Sequence, residues 1–347
     1  MELSIDWGVS SYYGWGVYGL NLALECAKDG SIELYSEAPL RPADIVVDPL
    51  RQRALIPFIK RSSVDGGKPL GGARLHALGN DILPESTKRI GVIFFEAPLS
   101  RAGIERAKRY DLIIAGSTWN ADILRAAGLD NVRTILQGVD PTLFHPAPKR
   151  GLFPGKFLIF SGGKAEPRKG QDIVVKAFRI FAAKHKEAML VTAWHSPWPH
   201  LAAGMDLDLS EFGDRVVDVG ALPNGQMASV YRECDVALFP NRAEGGTNLV
   251  AMETIACGVR TIVSANTGHL DLTNRNAVCP LRRQKHCAEW SEWGESDVDE
   301  IVTELEHAMA AAVWHPSATL DLTWAKMTVS LLSAVNEVEG HGAPTRK

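Results

Sequence analysis

Residues 156–185 read "KFLIFSGGKAEPRKGQDIVVKAFRIFAAKH". An apolar run closes in Gly162 and Gly163, a loop follows with Lys164, Arg168 and Lys169, and Gly170 leads into a helical segment. Strand, glycine turn and helix in this order form the unit of a parallel sheet. The same grammar continues through "AMLVTAW", "RVVDVG", "NGQMASVYREC", "DVALFPN", "NLVAMETIACG" and "VRTIVSA". It also runs upstream. "GWGVYGLNLALECAKDG" places Leu20, Ala23, Leu24 and Ala27 at helical spacing and stops at Gly30, and "SIELYSE", "RIGVIFFEA", "RAGIERAKRY", "DLIIAGS", "TWNADILRAAG" and "VRTIL" alternate strand and helix after it. Between Gly138 and Gly155 four prolines without periodicity mark a linker. Two doubly wound α/β domains are therefore expected, with ligands at the carboxyl ends of the strands and in the cleft between the domains. Past Gly294 the pattern is mostly helical, "DVDEIVTELEHAMAAAVW" and "LTWAKMTVSLLSAVNEV", and "GHGAPTRK" reads as a frayed tail.

Composition fits that reading. The chain has 347 residues, 46 % hydrophobic and 22 % charged, and a formal net charge of −4, which argues against nucleic acid as a partner. No apolar run is long enough to span a membrane, and "MELSIDWGVSS" lacks the pattern of a signal peptide. Five cysteines without CxxC spacing suit a reducing cytoplasm. "CPLRRQKHC" (279–287) lacks paired short-spaced ligands and reads as a surface loop, and "DLD" (206–208) falls in a polar connector, so no metal is expected.

Gly14, Gly16 and Gly19 in "YYGWGVYG" spell G-x-G-x-x-G, the spacing of a dinucleotide fingerprint. "VSSYY" separates Gly14 from the nearest strand candidate, and Trp15 and Tyr18 crowd the variable slots. A nicotinamide-dependent oxidoreductase remains an alternative. The glycines otherwise let a loop bearing Tyr12, Tyr13 and Trp15 turn into a helix N-terminus.

Two constellations carry chemistry. In "SGGKAEPRKG" the glycines let backbone approach a ligand, and Lys164 and Lys169 can clamp a diphosphate; by charge alone the loop reads equally as a solvated basic one. In "FPNRAEGGTNLVAMETIACGV" a strand ends at Pro240, Glu244 and Gly246 occupy a loop, and Thr247 or Asn248 caps a helix whose free amides can hold phosphate. Glu253 lies one turn after Leu249, where a carboxylate can accept from a vicinal diol or face solvent as an ordinary helix residue.

These segments resemble the retaining glycosyltransferases of the GT-B fold, specifically family 4. The family's G-R-x-x-x-x-K-G loop is matched by "GKAEPRKG", its E-x7-E signature by Glu244 and Glu253 with one residue more between them, and its A-x-A-x-G by "TIACG". "GVDPTLFHP" looks like the phrase that ends the first domain, and "LTWAKMTVSLL" like the last helix, which crosses back onto it. Lysine stands at 164 where the family has arginine, and Phe95 where many relatives have a cleft histidine, with His76 as substitute candidate.

The resemblance implies two Rossmann-like domains facing a central cleft: an acceptor-binding one at 1–145, completed by a crossover helix at about 318–340, and a nucleotide-sugar-binding one at 151–315. It implies a metal-independent hexosyltransferase without a cofactor, moving sugar from a UDP- or GDP-linked donor to a glycan or lipid-linked acceptor. Lys164, Lys169, Glu244 and His76 would be catalytic. Gly14, Gly16, Gly162, Gly163, Arg168, Gly246, Thr247, Asn248, Leu249, Val250 and Glu253 would hold the donor, and Tyr12, Tyr13 and Trp15 the acceptor. An epimerase, a hydrolase or a non-catalytic sensor on the same fold is the other alternative. "PLRQRALIPFIKR" (49–61), interrupted by Pro57, reads as an ordinary strand, with peripheral membrane docking from the cytoplasm as its second reading.

Overall fold

The computed structural model describes the chain apart from residues 63–70, 83–88, 197–199, 201–203, 274–277, 288–290, 312–319 and 342–347. The last three residues of "DVDEIVTELEHAMAAAVW" and most of the C-terminal tail lie outside the described residues. In chain order the elements are β1 (Glu2–Ile5), α1 (Gly14–Asp29), β2 (Glu33–Ser36), α2 (Pro49–Ser62), β3 (Ala73–Leu78), β4 (Ile90–Ile93), α3 (Arg101–Ala107), β5 (Leu112–Ala115), α4 (Thr118–Ala126) and β6 (Val132–Thr134). There follow β7 (Phe157–Gly163), α5 (Gln171–Lys184), β8 (Ala188–Trp194), β9 (Val216–Asp218), α6 (Asn224–Tyr231), β10 (Val236–Phe239), α7 (Leu249–Ala256) and β11 (Arg260–Ser264). The remainder is α8 (Leu270–Thr273), β12 (Val278–Leu281), β13 (Gln284–His286), β14 (Gly294–Ser296), α9 (Val298–Ala310) and α10 (Trp324–His341).

The chain divides into two compact units. Unit 1 comprises Met1–Asp140, Pro223–Gly225 and the segment from Leu322 through α10, and unit 2 comprises Pro141–Leu222 and Gln226–Asp321. Among the described residues each holds one six-stranded sheet, in the orders β2-β1-β3-β4-β5-β6 and β12-β11-β10-β7-β8-β9. All these pairings are parallel. The central strands β4, β5 and β10 are buried at every position, as a sheet covered on both faces requires. In unit 2 the sheet residues Ile159, Leu190, Val236, Leu238 and Ile262 pack with Ile173, Phe178 and Phe181 of α5 and Ile301 and Leu305 of α9.

Strand order reverses between β1 and β3 in unit 1 and between β7 and β10 in unit 2. Such a reversal parts the loops beyond the strand ends and opens a crevice. The loops after β7 and β10, which carry both constellations read from the sequence, lie at the reversal of unit 2.

Unit 1 is completed from far along the chain. Tyr18 on α1 packs edge-on to Trp324, ring centroids 5.5 Å apart, and its hydroxyl meets Met327 Sδ at 3.3 Å. The Pro-rich segment after Val139 is docked rather than free. Arg232 donates to the carbonyls of Leu143 and His145, Glu233 accepts the amides of Arg150 and Leu152, and Phe144 packs on Tyr231.

Two sequence expectations are corrected. Residues 49–62 form a helix, not a strand: Asp48 Oδ1 accepts the Leu50 and Arg51 amides, and Leu55 and Phe58 are buried, which outweighs the one donor Pro57 removes. "CPLRRQKHC" is not a loop but most of β12 and all of β13, paired to β11 and β14.

Candidate active site

In unit 2 the loop Asn241–Asn248 is buried throughout, which is unusual for a connection and demands that its polar groups be satisfied. Glu244 is the hub. Its Oε1 accepts from Lys169 Nζ and Asn241 Nδ2, and its Oε2 faces Arg168 Nη1 at 3.3 Å. Its amide donates to Thr267 Oγ1 at 2.9 Å. Burial alone would raise the carboxyl's pKa, but the Lys169 and Arg168 charges outweigh it and hold the group down to about 2.

Arg168 also meets Glu166 at 2.8 Å, and Lys164 Nζ lies 3.9 Å from the same carboxylate. Lys164, Arg168 and Lys169 thus face the carboxylates of Glu166 and Glu244. The loops are locked together by Arg242, which donates to both Asp172 oxygens at 2.8 Å and to the Pro167 carbonyl at 2.8 Å, and meets Glu295 at 2.9 Å. Gly170 makes the approach possible: its φ is +68°, and a Cβ there would stand 2.4 Å from the Pro240 carbonyl oxygen.

At the start of α7, Asn248 is the N-cap, in a left-handed conformation (φ 61°), and its side chain accepts the Ala251 amide. Thr247 is fully buried against Met252, and Leu249 and Val250 are half-buried. Glu253, one turn on, is buried and accepts from the Tyr231 hydroxyl at 2.8 Å. Gly162 and Gly163 end β7, and Lys164, Arg168, Lys169, Glu244, Gly246, Thr247, Asn248, Leu249, Val250 and Glu253 occupy the segments beyond β7 and β10.

The remaining candidates belong to unit 1. Eight residues separate β1 from Gly14, which opens α1. Gly16 and Gly19 serve packing: a Cβ on Gly16 would meet Ser10 at 2.5 Å, and one on Gly19 would meet Trp7 and Val9 at 3.0 Å. Trp15 is half-buried against Trp7, with centroids 5.2 Å apart, and Phe94 at 4.9 Å, so much of its ring faces protein. Tyr12 and Tyr13 stay half-buried. His76, fully buried on β3, bonds through Nδ1 to Asp6 Oδ2 at 2.9 Å, and among the described residues no partner meets its Nε2. The sequence pattern signals no strand at β3, because Arg74 and His76 interrupt its apolar character.

Sequence reasoning passed over Asn241, Arg242, Tyr231, Ser264, Thr267 and His269. The last three sit in or just past β11, and their one available signal is that position at a carboxyl strand end.

The fold is that of the GT-B class. The chain superposes over 99 % of its length on all of sucrose-phosphate synthase from Thermosynechococcus elongatus (TM-score 0.68, 15 % identity). It likewise superposes over 98 % of its length on 97 % of Anabaena HepE solved with UDP and glucose (TM-score 0.58, 15 % identity). Within that class, residues 155–289 match the family described as Glycosyl transferases group 1, so the second domain carries the group 1 signature. Among curated proteins the chain is 27 % identical over 252 residues to the D-inositol 3-phosphate glycosyltransferase of Rhodococcus jostii, covering 67 % of this chain and 55 % of that protein. It is also 27 % identical over 176 residues to the lipopolysaccharide core mannosyltransferase LpcC of Rhizobium leguminosarum, 48 % of each. The chain spans about half the length of the first of these relatives.

Proposed function

We propose that this protein is a retaining glycosyltransferase that moves a hexosyl unit from a nucleotide diphosphate-sugar to a hydroxyl acceptor without needing a divalent metal. The observation that carries the reading is the convergence, at the strand reversal of unit 2, of the basic loop 164–169 with the first turn of α7. As the glycosidic bond breaks, negative charge grows on the leaving diphosphate. Lys164, Lys169 and the amides that open α7 would stabilise it, and preorganised donors are worth most where charge develops. Glu253, oriented by Tyr231, would accept from the ribose diol. Glu244 would act by fixing Lys169 and Arg168 as much as by touching sugar. The donor phosphate oxygen would help deprotonate the acceptor on the same face. The Anabaena protein solved with UDP and glucose and the relatives named as glycosyltransferases support the reading. A glycan or lipid-linked acceptor held by unit 1 completes it.

Thermal unfolding with UDP, GDP, ADP, dTDP and NAD in turn, EDTA present throughout, tests this. Ligand at about 100 times its Kd should add roughly 2.7 kcal/mol and raise the transition by several degrees. A shift with one nucleoside diphosphate supports the reading and names the base. A shift with NAD alone overturns it, and a shift that appears only on adding Mn²⁺ overturns the metal-free part. In the binding-competent protein, K169M should lower kcat on the order of 10²-fold with the donor so identified.

A further inference from the structure

We infer that His269 is a positioning residue for donor binding, holding the Asn248 cap at the N-terminus of α7 through a buried hydrogen-bond relay. The inference rests on the donor-site reading above and adds to it a residue that lies outside both loop constellations read from the sequence.

The relay has a defined direction. Ser264 Oγ donates to the Asn241 carbonyl at 2.7 Å, so it receives the His269 Nδ1 proton, 2.9 Å away. With Nδ1 protonated, Nε2 of a neutral ring is an acceptor, and Asn248 Nδ2 stands 3.1 Å from it. Asn248 then has its other atom, Oδ1, turned to the Ala251 amide in the first turn of α7. Each group in the chain has one role compatible with its neighbours, from the end of β10 through β11 to α7. The assignment of amide and ring agrees from both ends.

The site gives this relay work to do. Asn248 is one of three described non-glycine residues with positive φ, a conformation that needs outside support. A rotated Asn248 would turn the first-turn amides and displace the point at which an anion is held. His269 is fully buried, as are Ser264 and Thr267 beside it, so the ring is reached by no solute and acts only through its two neighbours. Burial keeps the ring neutral against the opposing pull of Glu244, with a smaller push from the Lys169 charge, and its pKa is lowered to about 4. A neutral ring is the state the relay requires.

Two substitutions separate the ring's two bonds. H269N retains a donor near the position of Nδ1 for Ser264 but has no acceptor for Asn248. H269Q reaches the position of Nε2 and supplies that acceptor. Titration calorimetry with UDP, GDP, ADP or dTDP, whichever the wild-type chain binds, is the readout, at a temperature where the variants remain folded by circular dichroism. Expected is an affinity loss of about tenfold for H269N, a loss under threefold for H269Q, and no further loss when H269N is added to N248A. Unchanged affinity in H269N, or equal losses in H269N and H269Q, or full additivity with N248A, overturns the positioning role and leaves the donor site standing. Should H269N fail to fold, H269A compared with H269Q reads the same contact: a tenfold loss in H269A that the glutamine recovers supports it, and equal losses overturn it. A wild-type chain that binds none of the four diphosphates overturns the donor-site reading, and this inference with it.

Discussion

Glu244 shows how much a single buried carboxylate can organise. Two cations and an amide converge on it, and its pKa in the folded chain falls from the ordinary 4.5 to about 2. The unfolded state then binds more protons than the folded one as pH falls between those values. Stability from this group is fully present above pH 4.5 and is lost toward pH 2, with a magnitude on the order of 3 kcal/mol. E244Q should therefore be less stable than wild type at pH 7, because Lys169 and Arg168 lose their counter-charge, and the gap should close as pH drops through that window. Urea unfolding between pH 3 and 7 measures this, and an unchanged gap would assign the acid sensitivity elsewhere. His269 shifts in the same direction, from 6.5 to about 4, with Glu244 and Lys169 as the charges that face it. H269N should accordingly flatten the stability slope between pH 6.5 and 4.

At the scale of elements, close approach decides more than propensity does. G16A should drive α1 off the Ser10 segment, and overpacking of this kind costs about 1–3 kcal/mol, visible as a lowered Tm without loss of helical circular dichroism. R242M should cost about 3–5 kcal/mol, because Asp172 and Glu295 lose a buried guanidinium that joins α5 to the β13–β14 hairpin, and R242K should recover only part of it. If R242M melts with wild type, the clamp contributes nothing net.

The same scale explains what the sequence allowed to be read. Alternating strand and helix were plain because β7 to α5 and β10 to α7 are local units whose signals lie within one segment. β3 was hidden because polar residues occupy it and their partners, such as Asp6 just past the end of β1, lie far away in sequence. α2 was misread because its cap, Asp48, lies outside the apolar stretch and Pro57 dominated the pattern. The loop residues 164–169 and 244–253 were legible as chemistry. What they touch was not, since Asn241, Arg242 and His269 each have a partner between 21 and 75 positions away.

For the molecule as a whole, the decisive feature is α10. Its Trp324 and Met327 fill the side of Tyr18, and Glu337 and Glu339 pair with Arg133 and Arg89 of the first unit. Every residue of unit 2 is therefore polymerised before the last part of unit 1 exists. On a ribosome, β1 to β6 emerge first but must wait with the flank of Tyr18 uncovered, while β7 to α9 can close behind them. A nascent chain stalled once Asp321 has cleared the exit tunnel should give a protease-resistant fragment from unit 2 and rapid cleavage within residues 1–140. Extending it through His341 should protect both. Synthesis order thus makes the first-made domain the last to mature, and any chaperone that attends this protein would meet unit 1 as its client.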